Sequence, residues 1–188
     1  MTTDEHRVFE TERLTVRKAT ADDAAFYHML WTHPKVMKHV GFPQGLPITK
    51  EEIREQLNDD PDAEFDRRLV IEKKATGKRI GECKLALPDD EGIVEPDIKL
   101  LPEYWGQGYG TELWRALVDY QFTHTDCDAI QTTPNINNEA AIRLYESSGA
   151  VRVDQGVFEF PEAMQAFTMP VPHYVYRLHR EDWEAEAG

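Results

Sequence analysis

A glycine-rich turn between a predicted strand and a predicted helix is the feature that most constrains this chain. Gly106, Gly108 and Gly110 are each separated by one residue. Apolar and polar residues alternate over 93–101, which predicts a strand, and the apolar spacing over 111–122 predicts a helix. The first N–H groups of a helix lack intrahelical partners, and the helix dipole is positive there. The turn therefore predicts a binding site for a pyrophosphate group.

Other glycine motifs fit this turn less well. A dinucleotide-binding fingerprint requires Gly-x-Gly-x-x-Gly, and here the third glycine comes one residue too early. A Walker loop requires Gly-Lys-Ser or Gly-Lys-Thr, and neither tripeptide follows. Glycines at this spacing can also form a plain strand-to-helix turn, so further residues must decide the function.

The turn resembles motif A of the GNAT superfamily, the acyl-coenzyme A-dependent N-acetyltransferases. Their pattern is Arg/Gln-x-x-Gly-x-Gly/Ala, and it maps onto 105–110 with Trp105 in place of the usual Arg or Gln. The run Pro-Glu-Tyr-Trp-Gly over 102–106 is similar to the RimJ/RimL-type branch of this superfamily.

A second segment, 138–150, resembles GNAT motif B, which is Asn-x-x-Ala/Ser followed by an aromatic residue and Gly-Phe. Ala150 stands where Phe is usual. Asn138, Ala141 and Tyr145 lie at i, i+3 and i+7, so they share one helix face. Small Ala141 leaves room for a coenzyme arm, and Asn138 can offer a donor and an acceptor to its amides. Spacing alone favours an ordinary core aromatic residue at position 145, and the functional interpretation of Tyr145 depends on the presence of both motifs in order.

The resemblance implies direct transfer, in which an amine attacks the thioester of acetyl-coenzyme A in a ternary complex and coenzyme A leaves. It gives Tyr145 the role of proton or hydrogen-bond donor to the departing sulfur. It also assigns a backbone N–H of Leu100 or Leu101 to the carbonyl oxygen.

The catalytic base is predicted less directly. Glu95 stands ten residues before Trp105, where many relatives carry a glutamate, and Asp97 and Glu103 are alternatives. Pro96 is awkward in a central strand and predicts a bulge. The residues that the resemblance assigns to coenzyme binding are Leu100, Leu101, Gln107, Gly108, Tyr109, Gly110, Thr111, Asn138 and Tyr145.

The resemblance extends over about 11–183 and predicts a single acetyltransferase domain over 1–188. The expected fold class is α/β (α+β): a mixed, mostly antiparallel twisted sheet of about seven strands with about four flanking helices. The sheet is expected to splay between its fourth and fifth strands. The predicted strands are 11–18, 67–73, 79–87, 93–101, 129–133, 151–158 and 174–178. The predicted helices are one beginning near 20 and others over 50–58, 111–122 and 138–148.

Local signals support these helices. The first carries Phe26, Met29 and Leu30 on the face expected to be buried, and the third is expected to pack Leu113, Trp114, Leu117 and Val118 inward. Thr49 and Glu52 predict a capping box at the start of the second helix, and Gly149 predicts a glycine cap at the end of the fourth. The acidic tail over 181–188 is expected to fray.

The composition of the chain indicates which classes of ligand and partner it can bind. The chain has 21 basic and 35 acidic residues and a net charge of −14, which disfavours nucleic acid and favours a cationic acceptor. Cys83 and Cys127 lack metal spacing and are expected to be buried free thiols, and no metal site is predicted. The sequence contains neither an apolar run of membrane-spanning length nor a secretory signal, so a cytoplasmic protein is expected.

The acceptor amine is open between small molecules and protein N-termini. Its walls are expected from 34–47 and 158–172, and Phe160, Met164 and Phe167 in the second segment could also serve a homodimer contact. The competing hypothesis is a non-catalytic acyl-coenzyme A-binding sensor or interaction module. Such a protein would keep the glycine turn and Asn138 but would need no base.

Overall fold

The computed structural model describes residues 6–59 and 62–187, and the side chains of 186 and 187 are not described. The predicted domain limits at 1 and 188 lie outside these ranges. The strands of the described part are Arg7–Glu10 (β1), Leu14–Lys18 (β2), Leu69–Lys73 (β3), Arg79–Lys84 (β4), Ile93–Val94 (β5), Asp97–Leu100 (β6), Ala129–Thr132 (β7), Val151–Phe158 (β8) and Val171–His179 (β9). The α-helices are Ala24–Trp31 (α1), Pro34–Met37 (α2), Lys50–Asn58 (α3), Tyr109–His124 (α4), Glu139–Ser147 (α5) and Arg180–Ala187 (α6). None of these helices is long and apolar enough to cross a membrane.

The strands form two sheets that diverge. The first has the order β1-β2-β3-β4-β6 and is antiparallel, and the second has the order β5-β7-β9-β8. In the second sheet β5 runs parallel to β7, while β9 is antiparallel to both of its neighbours. The predicted mixed, mostly antiparallel GNAT sheet is confirmed.

The predicted strand 93–101 is divided into β5 and β6, and the two halves belong to different sheets. Val94 pairs with Ile130 of β7, whereas Asp97 pairs with Lys84 of β4. Pro96 lies between the halves, and because proline has no N–H it cannot continue a ladder. The chain therefore changes partner at this point, and the predicted splay opens where β6 and β7 part. This division and the unpredicted β1 raise the number of strands from about seven to nine.

The first sheet packs helices on both faces. On one face α4 buries Leu113, Trp114, Leu117 and Val118, as predicted. On the other face α1 and α3 form a second apolar cluster. The prediction that Met29 shares the buried face of α1 is wrong, since its side chain is 48% exposed. The inward face includes Tyr27 and Trp31, which turns Met29 toward solvent.

Capping residues set several helix limits. Thr49 and Glu52 form the predicted capping box of α3, with the Glu52 N–H donating to Thr49 Oγ1 at 3.2 Å. At the end of α5, Gly149 has φ +85° and the N–H of Ala150 donates to the carbonyl of Tyr145 at 3.2 Å, which is the predicted glycine cap.

Two predicted limits are corrected. Helix α4 begins at Tyr109, two residues before the predicted start, because Gly108 is its N-cap. The tail expected to fray is helical as α6, since the Trp183 ring stacks on Phe122 at 5.1 Å and its indole N–H donates to Asp119 at 2.7 Å. The cysteines Cys83 and Cys127 are buried free thiols, as predicted.

Candidate active site

A cleft of about 840 Å³ lies where β6 and β7 diverge. The glycine turn closes one end, and the start of α5 and the segment after α1 form its sides. Seven predicted site residues line this cleft: Glu95, Leu100, Gly108, Gly110, Thr111, Asn138 and Tyr145. The turn of motif A and the helix face of motif B thus border one continuous space.

Three other predicted residues do not line the cleft. Leu101 is buried in the cluster beneath α1, and Tyr109, the first residue of α4, is buried in the cluster between α4 and the first sheet. Gln107 is exposed, and its side-chain amide donates to the carbonyl of Glu103 at 2.7 Å. Leu101 and Tyr109 therefore support the site from the core, while Gln107 and Glu103 lie outside the cleft.

The register of β6 decides which backbone N–H groups face the cleft. The N–H of Leu101 donates to the carbonyl of Ile80 at 2.9 Å, so it belongs to the ladder. Along an antiparallel strand, the N–H groups of successive residues point alternately toward and away from the neighbouring strand. Leu100 lies opposite Gly81 of β4. The N–H groups of Leu100 and Ile98 therefore point away from β4 toward the cleft. Of the two N–H groups predicted to donate to the carbonyl oxygen of the thioester, only that of Leu100 faces the cleft. The N–H of Ile98 also faces it.

Trp105 fastens the glycine turn to the end of β6. Its indole N–H donates to the carbonyl of Leu100 at 2.8 Å. Gly106 and Gly108 then adopt φ of +70° and +80°, which favour glycine. The residue that departs from motif A is thus a structural anchor of the turn.

Asn138 is the N-cap of α5. Its side-chain oxygen accepts the N–H of Ala141 at 3.3 Å. The cap engages one of the two lone pairs of this oxygen, so the donor and acceptor roles of Asn138 toward a ligand stay a prediction.

Tyr145 projects from α5 into the lining of the cleft. Its ring packs edge-on against Trp114 at 4.8 Å. Burial raises the pKa of Tyr145, and the carboxylate of Asp97 raises it further, against the opposing effect of Lys99. The hydroxyl is therefore protonated at neutral pH, as a hydrogen-bond donor must be.

Glu95 is held by residues of the other sheet. The side-chain amide of Gln131 on β7 donates to Glu95, and the oxygen of the same amide accepts from Arg177 on β9 at 2.8 Å. Sequence reasoning missed Gln131 and Arg177, because only the pairing of β7 with β9 brings them together. Glu95 is therefore exposed at the edge of the cleft, and its hydrogen-bond partner there is the neutral amide of Gln131.

Asp97 is paired differently. It forms an ion pair with Lys99, whose ammonium also lies 3.5 Å from the buried carboxylate of Glu82. The Trp31 indole donates to Glu82 at 2.7 Å. Burial acts to lower the pKa of Lys99, but Asp97 and Glu82 outweigh it and raise that pKa, so the lysine is charged. Burial raises the pKa of Glu82.

A second cavity of about 440 Å³ adjoins the cleft and shares Val40, Asp97 and Lys99 with it. Apolar side chains from α1, α2 and the segment before α3 form one wall: Trp31, Met37, Leu46 and Ile48. The cross-strand charge cluster of Glu82, Asp97 and Lys99 lies at the junction of the two spaces. Of the two segments that the sequence predicts as acceptor walls, 34–47 contributes Met37, Val40 and Leu46, whereas no residue of 158–172 lines either space.

Comparisons with known proteins agree with this geometry. Residues 13–151 match the acetyltransferase (GNAT) domain family. N-acetyltransferase p20 of Bacillus licheniformis, itself uncharacterized, is 30% identical over 139 residues, 73% of this chain and 78% of that protein. Aminoglycoside N(6')-acetyltransferase type 1 of Serratia marcescens is 36% identical over 75 residues, which are 40% of this chain and 36% of that protein.

Among solved structures, the spermidine N-acetyltransferase of Vibrio cholerae in complex with CoA and spermine superposes with a TM-score of 0.74. It is 25% identical and covers 92% of this chain and 98% of its own. The chain therefore belongs to the GNAT acetyltransferase family. It is an enzyme, an N-acetyltransferase that takes its acetyl group from acetyl-coenzyme A.

Proposed function

We propose that this enzyme acetylates a primary amine of a small molecule, with acetyl-coenzyme A in the cleft and the amine in the adjoining cavity. The observation that carries the proposal is the single cleft bordered by the glycine turn, by Asn138 and by Tyr145. The coenzyme supplies an activated acetyl thioester, and the chain supplies the contacts that bind and orient it.

The residues present fit such a coenzyme. Gly108 and Gly110 offer close backbone approach at the start of α4, where a pyrophosphate is favoured. On the opposite wall, the buried hydroxyl of Thr132 has no hydrogen-bond partner within the described residues. It is therefore available, with the NH₂ group of Asn138, for the amides of a pantetheine arm.

The proposed chemistry assigns one task to each group. The N–H of Leu100 or Ile98 receives the carbonyl oxygen as negative charge develops there. The Tyr145 hydroxyl donates to the departing sulfur. Glu95 accepts the proton of the amine through water, because the extended chain from Glu95 to Ile98 spans up to about 10 Å.

Glu95 is preferred over Asp97 as the base because of their partners. The ion pair of Asp97 with Lys99 stabilises its charged form, whereas Glu95 contacts the neutral amide of Gln131. In the proposed mechanism, Glu95→Gln removes the acidic limb of the pH–rate profile. An unchanged acidic limb would assign the proton to another group, and Asp97→Asn is the matched variant.

The acceptor proposal depends on the relatives and on the second cavity. Asp97 is exposed at the junction of the two spaces and offers its carboxylate to an acceptor amine, in a cavity whose lining also includes Arg67, Arg68 and Lys84. The relatives named above act on spermidine and aminoglycosides, which are small amines. The second cavity, of about 440 Å³, is of the size that small-molecule acceptors occupy.

The test is thiol release from acetyl-coenzyme A across matched acceptors. The panel contains spermidine, an aminoglycoside, free amino acids and peptides with a free α-amine, and mass spectrometry locates the acetyl group. We expect a small amine to exceed the peptides in kcat/KM by about tenfold or more. Preference for the peptides would overturn the acceptor class. Coenzyme binding without turnover on any amine would support the sensor hypothesis.

We also propose that two copies pair through β8. All eight residues of this strand are exposed, and within the described chain it pairs only with β9. Its exposed apolar side chains are Val151, Val153, Val157 and Phe158. Of the three residues first expected at a homodimer contact, Phe160 and Met164 are partly buried, and only Phe167 is exposed.

Sedimentation velocity tests this pairing. We expect a dimer, and a monomer for Val153→Lys, whereas a monomeric parent protein would contradict the pairing. The single domain over 1–188, the RimJ/RimL-type branch and the cytoplasmic location stay predictions. The branch is supported by the residues of 102–106 rather than by the relatives named above.

A further inference from the structure

Arg13, just before β2, reaches the glycine turn from the far end of the sequence. Its Nε donates to Glu112 Oε2 at 2.6 Å, and its Nη1 donates to the carbonyl of Gln107 at 3.0 Å. The guanidinium group also lies 4.2 Å from the centre of the Tyr109 ring. Three separate contacts therefore fix one cation against the turn and the first turn of α4.

The contact with Gln107 sets the direction of the next peptide group. In a trans peptide the C=O and the following N–H point in opposite directions, so the Gly108 N–H is directed away from Arg13. A Cβ built on Gly108 would lie 3.3 Å from Arg13 Nη2. Arg13 thus occupies the space that a side chain at position 108 would need. The Gly108 N–H points away from Arg13, on the opposite side.

The contact of Arg13 with Glu112 pairs a positive charge with a carboxylate at the start of α4. Glu112 lies in the first turn of α4, and it also accepts the Thr11 hydroxyl at 2.5 Å and the Arg13 N–H at 2.8 Å. A carboxylate at this position would repel a bound pyrophosphate. The guanidinium of Arg13 compensates that charge.

We propose that Arg13 is a positioning residue for the pyrophosphate of acetyl-coenzyme A. It holds the Gly108 N–H toward the cleft and offsets the charge of Glu112, at a turn where Trp105 replaces the basic or amide residue of motif A. The proposal rests on the proposed coenzyme site. It places a cation from the N-terminal part of the chain against the turn, where Trp105 brings none.

Calorimetric binding of three ligands isolates this role: coenzyme A, dephospho-coenzyme A and pantetheine, which lacks the pyrophosphate. For Arg13→Met we expect coenzyme A and dephospho-coenzyme A to bind about tenfold or more weakly, as for loss of charged hydrogen bonds. Pantetheine affinity should be unchanged. Adding Glu112→Gln should recover part of the loss, because the uncompensated carboxylate is gone.

The matched control is Arg54→Met, which removes an equal charge from an exposed arginine of α3 that does not line the cleft. It should leave all three affinities unchanged. Arg13→Lys keeps the charge but cannot hold Gln107 and Glu112 with one planar group, so an intermediate loss is expected. This variant also serves if Arg13→Met fails to fold.

Equal losses for pantetheine and coenzyme A, or no loss for either, would overturn the role of Arg13. A parent protein that binds pantetheine as tightly as coenzyme A would instead refute the pyrophosphate site itself. A parent protein that prefers coenzyme A, with the preference retained in Arg13→Met, would overturn only the inference about Arg13.

Discussion

Replacing Tyr145 with phenylalanine removes one oxygen atom from the cleft and tests the proposed chemistry directly. The ring packs against Trp114 and should stay in place, because its packing does not involve the hydroxyl. Phenylalanine therefore leaves the fold and the coenzyme contacts largely intact. The expected change is in kcat rather than in the affinity for acetyl-coenzyme A.

The size of the effect follows from the proton affinities. An ordinary phenol has a pKa of about 10 and a coenzyme thiol about 8.5, so full proton transfer is uphill by at least roughly 2 kcal/mol. Burial raises the pKa of Tyr145 further, so hydrogen-bond donation to the developing thiolate is favoured over transfer. A hydrogen bond to a charged group contributes about 1.5–3 kcal/mol, so kcat should fall roughly 10- to 150-fold.

The assay is thiol release under saturating acetyl-coenzyme A and amine, with coenzyme affinity measured separately by calorimetry. The control is Tyr120→Phe, which removes a hydroxyl that donates to Glu64 at 2.7 Å, outside the cleft. This control should leave kcat unchanged. If Tyr145→Phe turned over at the parent rate, Tyr145 would have no part in stabilising the leaving thiolate.

Five further substitutions test the turn, the cap and a buried ion pair. Gly108→Ala and Gly106→Ala both strain a positive φ, by about 1–2 kcal/mol, but only Gly108 has a close neighbour, so it alone should lose coenzyme affinity by calorimetry. Asn138→Asp should keep the helix cap and the thermal stability while weakening coenzyme binding, whereas Asn138→Ala should also lose about 1 kcal/mol of stability. Asp23→Asn should cost about 3 kcal/mol at pH 7 in urea unfolding, since it breaks a buried pair with Arg17. Burial acts to raise the pKa of Asp23, but hydrogen bonds from Arg17 lower it overall, so the stabilisation is complete above about pH 4 and is lost as the pH falls through the lowered pKa. The two proteins should therefore converge in stability at strongly acidic pH.

Local signals in the sequence determined much of this protein. The capping box at Thr49 fixed the start of α3, and Gly149 fixed the end of α5, because each signal acts within one helical turn. The glycine turn and the Asn138–Tyr145 spacing likewise indicated two halves of one binding site. Backbone conformation and helix periodicity depend on neighbours a few residues away, so they can be recognised in the printed chain.

Tertiary structure alone decided how those halves are completed. The choice of Leu100 over Leu101 depends on the register of β6 against β4, and one residue of slip would reverse it. The contact of Arg13 with the glycine turn joins residues 94 positions apart, and the contact of Gln131 with Glu95 joins positions 36 apart. Such pairs arise when the whole sheet packs against its helices, which is why no local pattern predicts them.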